Sequence, residues 1–295
     1  MPEQEEQEEQ EEQEDDDNNN DSEDLVLLSL EPKQSRHTRK RIIKAIKELD
    51  EKPSTDPNES STDPREPSID PAYSNFRLPR AVAQLSNPKI VHKLPFPFVR
   101  MGTPNRFILD KKHRWRYVGR EKFAELLREL QLVRRESKYK RLFVYGTRGY
   151  GKSHLLAALV CYLTALGQRV IYIPDCRSFL ENPVNYFRTA MLFAWADDKA
   201  TQNDILKLDS KKKIERFLEL RGKILFVIDQ LNAVPLSTKS GAKLSEWIYA
   251  LICDRKGVLS SSANYQDHLR QQISQNYDHV MRLYGGFTEV CLNIG

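Results

Sequence analysis

Apolar positions concentrate after residue 120 and follow two periods. In "EKFAELLRELQL" (121–132), Phe123, Leu126, Leu127 and Leu130 fall at i, i+3, i+4 and i+7, which places them on one face of a helix. "KRLFVYG" (140–146), "QRVIYIPD" (168–175) and "KILFVID" (223–229) are short apolar runs that predict buried strands, with "KGVLSSSAN" (256–264) a fourth and "GFTEVCLNI" (286–294) a fifth. Between them, "SHLLAALVCYLTALG" (153–167), "NPVNYFRTAMLFAWADD" (182–198) and "KIERFLELRG" (213–222) predict helices, Asn182 serving as a cap and Pro183 as a first-turn residue. Strands that alternate with helices, and that are apolar throughout, predict an α/β fold with a parallel sheet covered by helices on both faces.

The first 110 residues have another texture. "EQEEQEEQEEQEDDDNNN" offers no face to bury, so residues 1–24 are expected to be a disordered acidic tail. Residues 25–50 form a basic amphipathic segment. Within it, "KQSRHTRKRIIKAIKEL" (33–49) sets Ile42, Ile43, Ile46 and Leu49 at helical spacing beside Arg39, Lys40, Arg41, Lys44 and Lys47. It reads either as a nuclear-import or anion-binding patch or as a solvated helix. In residues 51–72 the phrases "STDP", "STDP" and "SIDP" recur, too proline-rich for a helix. Residues 51–110 are therefore expected to be a largely disordered linker and residues 111–295 the folded domain.

Charge sharpens this division. The formal net charge is +4, but residues 1–24 carry 14 of the 42 acidic residues and no lysine or arginine, leaving 46 basic against 28 acidic residues in the remainder. A basic body of this kind suits an anionic partner, a nucleic acid or nuclear protein meeting residues 33–47 among them. Cys161, Cys176, Cys253 and Cys291 are far apart, without zinc-ligand spacing, and read as reduced structural thiols. No apolar run is long enough to span a bilayer and the N-terminus is acidic where a secretory signal would be basic and then apolar. An intracellular protein, in the nucleus if the basic segment addresses it, with no membrane partner, is the expectation.

The chemistry concentrates in "YGTRGYGKSHLL" (145–156). Gly146, Gly151, Lys152 and Ser153 match GxxxxGK[ST], set between a predicted strand and an apolar helix. In such a loop Gly146, Thr147, Arg148, Gly149, Tyr150, Gly151 and His154 surround the phosphates of ATP or GTP, Lys152 reaches the β- and γ-phosphates, and Ser153 ligates Mg2+. The acidic partner at the end of a second strand is Asp229, placed to hold the metal through water, or else to cap a turn. Where many ATPases have a glutamate as base, this chain has Gln230, which orients water without accepting its proton, so slow hydrolysis is expected. Asn264 reads either as a sensor of the γ-phosphate, if its strand inserts between the other two, or as a turn residue. Tyr117 and Val118 in "YVGRE" are read as adenine contacts or as core, and Arg148 and Arg282 as phosphate contacts, Arg282 across subunits of a homo-oligomer, or as exposed arginines.

Together "YVGREKFAELLREL", "YGTRGYGKSHLLAALVCYLTALGQRVIYIPDCR", "TAMLFAWADD", "FVIDQLNA", "VLSSSANYQ" and "YGGFTE" resemble the phosphate-loop NTPase domain of the crinkler effectors of oomycetes and glomeromycete fungi, over about residues 112–289. The resemblance implies an AAA-like core with an extra strand between the two nucleotide-binding strands. It implies Gly151, Lys152, Ser153 and Asp229 as nucleotide and magnesium residues, Gln230 as that family's own residue, and action in host nuclei. Against that family's pattern, the acidic tail and linker are expected in place of its N-terminal header, and no helical lid or effector domain is expected after the core. The expected function is ATP binding with slow Mg2+-dependent hydrolysis, Lys152, Gln230 and Asn264 acting on phosphate and water. A non-hydrolysing switch and a nucleic-acid-binding module with a vestigial site are the alternatives.

Overall fold

A computed structural model describes residues 21–51, 71–98, 106–234, 237–262 and 278–283. In chain order, α1 (Asp21–Glu51), α2 (Pro79–Ser86) and an antiparallel pair, β1 (Val91–Pro95) and β2 (Arg114–Val118), come first. They are followed by α3 (Lys122–Arg135), β3 (Arg141–Gly146), α4 (Lys152–Ala165), β4 (Arg169–Ile173), α5 (Cys176–Glu181), α6 (Pro183–Ala194), α7 (Lys199–Leu206) and α8 (Lys211–Glu219). The chain then continues through β5 (Ile224–Ile228), α9 (Lys239–Ile252), β6 (Gly257–Ser262) and β7 (Asp278–Leu283).

Strands β3 to β7 make one parallel sheet in the spatial order β4-β5-β6-β3-β7. All of β5 is buried, as is β4 apart from its first residue. Because successive side chains of a strand point to opposite faces, such strands require cover on both sides of the sheet. Strand β6 separates β3, which feeds the glycine loop, from β5, which ends at Asp229. This is the inserted-strand arrangement that the resemblance implies, and the domain has an α/β phosphate-loop NTPase fold. Register sets the level of the side chains. Ile228 pairs with Leu259, so Asp229 is level with Ser260, and Ser260 pairs with Val144 two residues before Gly146.

A further strand of the sheet was not read from the pattern. It is "DHVMRL" at 278–283, aligned from Arg141↔Asp278 to Gly146↔Leu283, whereas the expected strand at 286–294 lies outside the described residues. Among the described strands β7 pairs only with β3, at the end of the sheet, and such a strand does not need the continuous apolar run by which central strands are recognised. Helix α9 was not read from the pattern either. Thr238 accepts from the Gly241 N–H at 3.1 Å to start it, and its buried Leu244, Trp247, Ile248 and Leu251 repeat the spacing of α3.

Residues 71–98, expected as linker, are packed into the domain. Phe76, Val82, Leu85, Leu94, Phe96 and Phe98 belong to the core. The prolines bound elements here instead of preventing them: Pro79 occupies the first turn of α2, where its missing N–H costs nothing, and Pro95 closes β1. The basic segment is likewise held. Ser35, Arg39, Ile42 and Ile46 form the buried face of α1, which packs on α4, α6 and α2. Asp50 at its end accepts the backbone N–H groups of Arg80 at 3.0 Å and Ala81 at 3.1 Å, fixing the start of α2. The opposite side of α1 exposes Lys33, His37, Lys40, Lys44 and Lys47 in one stripe. Residues 1–20 and 52–70, most of the expected tail and linker, lie outside the described residues.

Among the described residues no helix is long and apolar enough to cross a membrane. Cys161 and Cys176 are buried free thiols and Cys253 is exposed; Cys291 lies outside the described residues.

Because Ile46 is fully buried beneath α1, Ile46→Ala should destabilise the whole domain by about 2–5 kcal/mol, the usual cost of such a truncation. Urea denaturation monitored by tryptophan fluorescence measures this, and an unchanged midpoint would show that α1 is not part of the cooperative unit.

Candidate functional site

The loop from β3 to α4 combines two features that suit an anion. Gly151 adopts the left-handed conformation (φ 70°) immediately before α4, and no side chain caps that helix. The first-turn N–H groups of α4 therefore keep their donor capacity, reinforced by the helix dipole. The positive φ favours glycine at 151, and a Cβ there would also stand 2.3 to 2.4 Å from the guanidinium of Arg120, a flexible side-chain end that would have to shift. The second feature is Lys152. Only 9% exposed, it folds its ammonium back onto the carbonyl oxygens of Gly146 (2.6 Å) and Thr147 (2.8 Å). Burial lowers its pKa and the nearby Asp229 carboxylate opposes that shift. Ser153 and His154 are half-buried in the first turn of α4, whereas Thr147, Arg148 and Gly149 are exposed in the loop and Tyr150 is half-buried.

Asp229, 1% exposed, lies beyond the end of β5. Its Oδ1 accepts from the Ser260 hydroxyl and from the Gln230 N–H at 2.9 Å, and its Oδ2 faces Arg106 Nη2 at 3.2 Å. The same Arg106 nitrogen donates to the Pro174 carbonyl at the end of β4. Gln230 itself takes a left-handed backbone (φ 58°), and this turn directs its N–H back to the carboxylate and to Ser260 Oγ at 3.2 Å. Left-handed geometry outside glycine costs roughly 1–2 kcal/mol, which these hydrogen bonds offset.

Two arginines that sequence reasoning did not select complete the site. Arg120 Nη1 donates to the Tyr150 carbonyl at 2.8 Å, so its guanidinium lies against the loop. His154 stacks on Phe107 at 4.8 Å and meets Trp115 edge-on. Burial first, then Arg120 and Arg106, lower its pKa to about 4, leaving it neutral near pH 7. Arg106 falls inside the presumed linker and Arg120 follows a glycine in "YVGRE"; composition distinguishes neither from a surface arginine. Gly119 before it is fixed by contact, since a Cβ there would be 2.0 Å from the Asn87 carbonyl oxygen.

Tyr117 and Val118, read as adenine contacts or as core, belong to β2. Tyr117 is fully buried and its hydroxyl donates to the Leu85 carbonyl, making it a core residue. Val118 pairs with Val91 in the β1–β2 ribbon. Arg282 is exposed on β7, with its guanidinium 5.6 Å from the Tyr145 ring centroid. Asn264 lies outside the described residues.

These donors fit a polyphosphate: a buried ammonium, two guanidinium groups and an uncapped helix start surround one loop. They do not fit Mg2+ in this arrangement. The ion takes an octahedral set made largely of waters and substrate phosphates with one or two protein oxygens, yet both oxygens of the expected carboxylate, Asp229, are engaged and Arg106 stands beside it. Among the described residues no three His, Cys, Asp or Glu side chains gather as potential ligands.

A family model described as mitochondrial ribosomal death-associated protein 3 matches residues 117–211, about a third of the chain, including the loop but not Asp229. The match is to that family's model and not to a crinkler one. No curated protein matches the chain in sequence. Similar solved structures include domain III of the Thermotoga maritima replication initiation protein DnaA (21% identity, TM-score 0.37), covering 57% of this chain and 65% of that one. AMPPCP-bound DnaA from Aquifex aeolicus follows at 19% identity and TM-score 0.35, covering 54% of this chain and 44% of that one. PCH-2 of C. elegans, at 13% identity and TM-score 0.34, covers 60% and 44%. The chain thus spans just under two thirds of the first of these structures and less than half of the other two.

His154 titrates near 6.5 when unfolded and at about 4 when folded. The folded state therefore binds fewer protons, and its stability is full above pH 6.5 and lost as pH falls toward 4. His154→Phe, which retains the stacking, should remove on the order of 1–3 kcal/mol of that acid sensitivity. Denaturation midpoints of both proteins at pH 7 and pH 4.5 measure the difference; parallel losses would show that His154 does not contribute.

Proposed function

We propose that this chain is a nucleotide-binding phosphate-loop domain that holds ATP, or GTP, with little or no turnover and changes its interactions as it does so. The observation that supports this most directly is the Lys152 ammonium, buried at an uncapped helix start and hydrogen-bonded, among the described residues, to the Gly146 and Thr147 carbonyls. A buried cation on neutral acceptors gains much from an incoming phosphate oxygen, because charge-assisted bonds are about twice as strong as neutral ones. In this reading Gly146, Gly149 and Gly151 allow backbone amides to approach the phosphates, Lys152 transfers from the carbonyls to the terminal phosphates, and Arg120 meets them from the opposite side.

Turnover has less support. Gln230 carries no base, its N–H is occupied by Asp229 and Ser260, and Asp229 does not present an open site for Mg2+. Ser153 as a metal ligand and Gln230 and Asn264 as water-positioning residues remain the hydrolytic version of the proposal. Kinship with the crinkler domain is also part of the reading; it rests on the order of sequence blocks extending past residue 211. Equilibrium binding should weaken at least about tenfold on Lys152→Ala, the worth of one charge-assisted contact. Phosphate release by the wild type should remain near background over many equivalents of ATP. Unchanged affinity in the variant would refute the site, and sustained release would refute the switch.

A second reading has its own observation. The exposed stripe of Lys33, His37, Lys40, Lys44 and Lys47 is held on a packed helix, which suits the phosphate backbone of a nucleic acid. Binding of a short duplex that weakens steeply with salt and is indifferent to Lys152→Ala would favour this module, in the nucleus or elsewhere; absence of salt-dependent binding would remove it.

A further inference from the structure

The segment between β1 and α3 lies outside the phosphate loop but delivers two guanidinium groups to it. Arg120 covers Gly151 and bonds Tyr150. Arg106 crosses from the other side, where one nitrogen joins the Pro174 carbonyl to Asp229 Oδ2 and so ties the ends of β4 and β5. The Phe107 ring lies 5.6 Å from its guanidinium carbon. Its Nε is buried without a hydrogen-bond partner among the described residues, and a buried donor left unused is costly unless an acceptor arrives.

Asp229 has little left to offer a metal. One oxygen accepts from Ser260 and Gln230, and the other faces Arg106. An ion held by Asp229 on that side would have to displace the guanidinium. With Arg106 in place, the buried and half-buried charged side chains named here are Lys152, Arg106 and Arg120 against Asp229, an excess of two positive charges without any ion and before the exposed Arg148 is counted. This is the charge that a metal normally contributes beside a polyphosphate.

We propose that Arg106 is the resident cation of this site in place of Mg2+, so that the chain binds the polyphosphate of a nucleotide without a divalent metal. The inference rests on the nucleotide-binding reading above and specifies how that site neutralises its ligand. Asp229 then acts as a positioning residue: it orients Arg106, with Ser260 and the Gln230 N–H holding the carboxylate in turn.

Titration of a fluorescent ATP analogue into the full chain, in EDTA and in excess Mg2+, tests it. Wild type should show the same affinity in both. Arg106→Ala should lose about tenfold in EDTA, the worth of one charge-assisted hydrogen bond, and recover affinity when Mg2+ is added. Arg106→Lys, which keeps the charge but not the fork, should fall between them in EDTA. Ligand-free melting curves check that the variants fold; if Arg106→Ala does not, the wild-type and Arg106→Lys titrations decide. Wild-type binding that requires Mg2+, or Arg106 variants that bind as tightly as wild type in EDTA, would overturn the inference and leave the nucleotide reading standing. No binding by wild type in either buffer would overturn both.

Discussion

The buried carboxylate of Asp229 is the constraint around which the site is arranged. An isolated charge in that position would cost many kcal/mol, so it persists only because four groups address it: the Ser260 hydroxyl, the Gln230 N–H, the Arg106 guanidinium and, by proximity, the Lys152 ammonium. Each comes from a different part of the fold. Ser260 comes from the inserted strand, Gln230 from a left-handed turn, Arg106 from the N-terminal segment and Lys152 from the loop helix. The C-terminal edge of the sheet is thereby a connected polar layer above an apolar core, and any ligand that attracts Lys152 or Arg106 alters the balance at Asp229.

That arrangement makes the N-terminal third part of the machinery. Helix α1 is seated on α4 and α6, Asp50 starts α2, and α2 and the β1–β2 ribbon hold Arg106 and Arg120 against the loop. Gly119 fits only because the Asn87 carbonyl lies against it. The segment that resembles linker by composition thus carries the cation that meets Asp229, Arg106, and the first residues of the expected domain carry Arg120, which lies against the loop. It also connects the site to the basic face of α1, so nucleotide at the loop and an anionic partner at α1 would act on one packed unit.

The glycine loop, the helix after it, Asp229 and the central strands were legible because each is local. A phosphate loop needs its glycines and lysine at fixed separations, a central strand of a parallel sheet is apolar along its whole length, and α3 shows its buried face in Phe123, Leu126, Leu127 and Leu130. Strand β7 was missed because, pairing with β3 alone among the described strands, it carries polar residues such as Asp278 and Arg282. Helix α2 and β1 were hidden by prolines that in fact mark their ends. Tyr117 beside the glycine of "YVGRE" suggested a ligand contact, but its hydroxyl had a carbonyl to satisfy in the core.

Sequence alone determined the fold class, the glycine loop between β3 and α4 and the position of Asp229 after β5, since these follow from short-range spacing and from the hydrophobicity that a doubly covered sheet demands. Only the tertiary structure decided what stands between them. Whether Arg106 is a linker residue or the ion pair of Asp229 depends on residues 123 positions apart, and on β6 bringing Ser260 level with that carboxylate. Charge pairing across such separations leaves no period in the sequence, because it is set by where the packed elements place their ends.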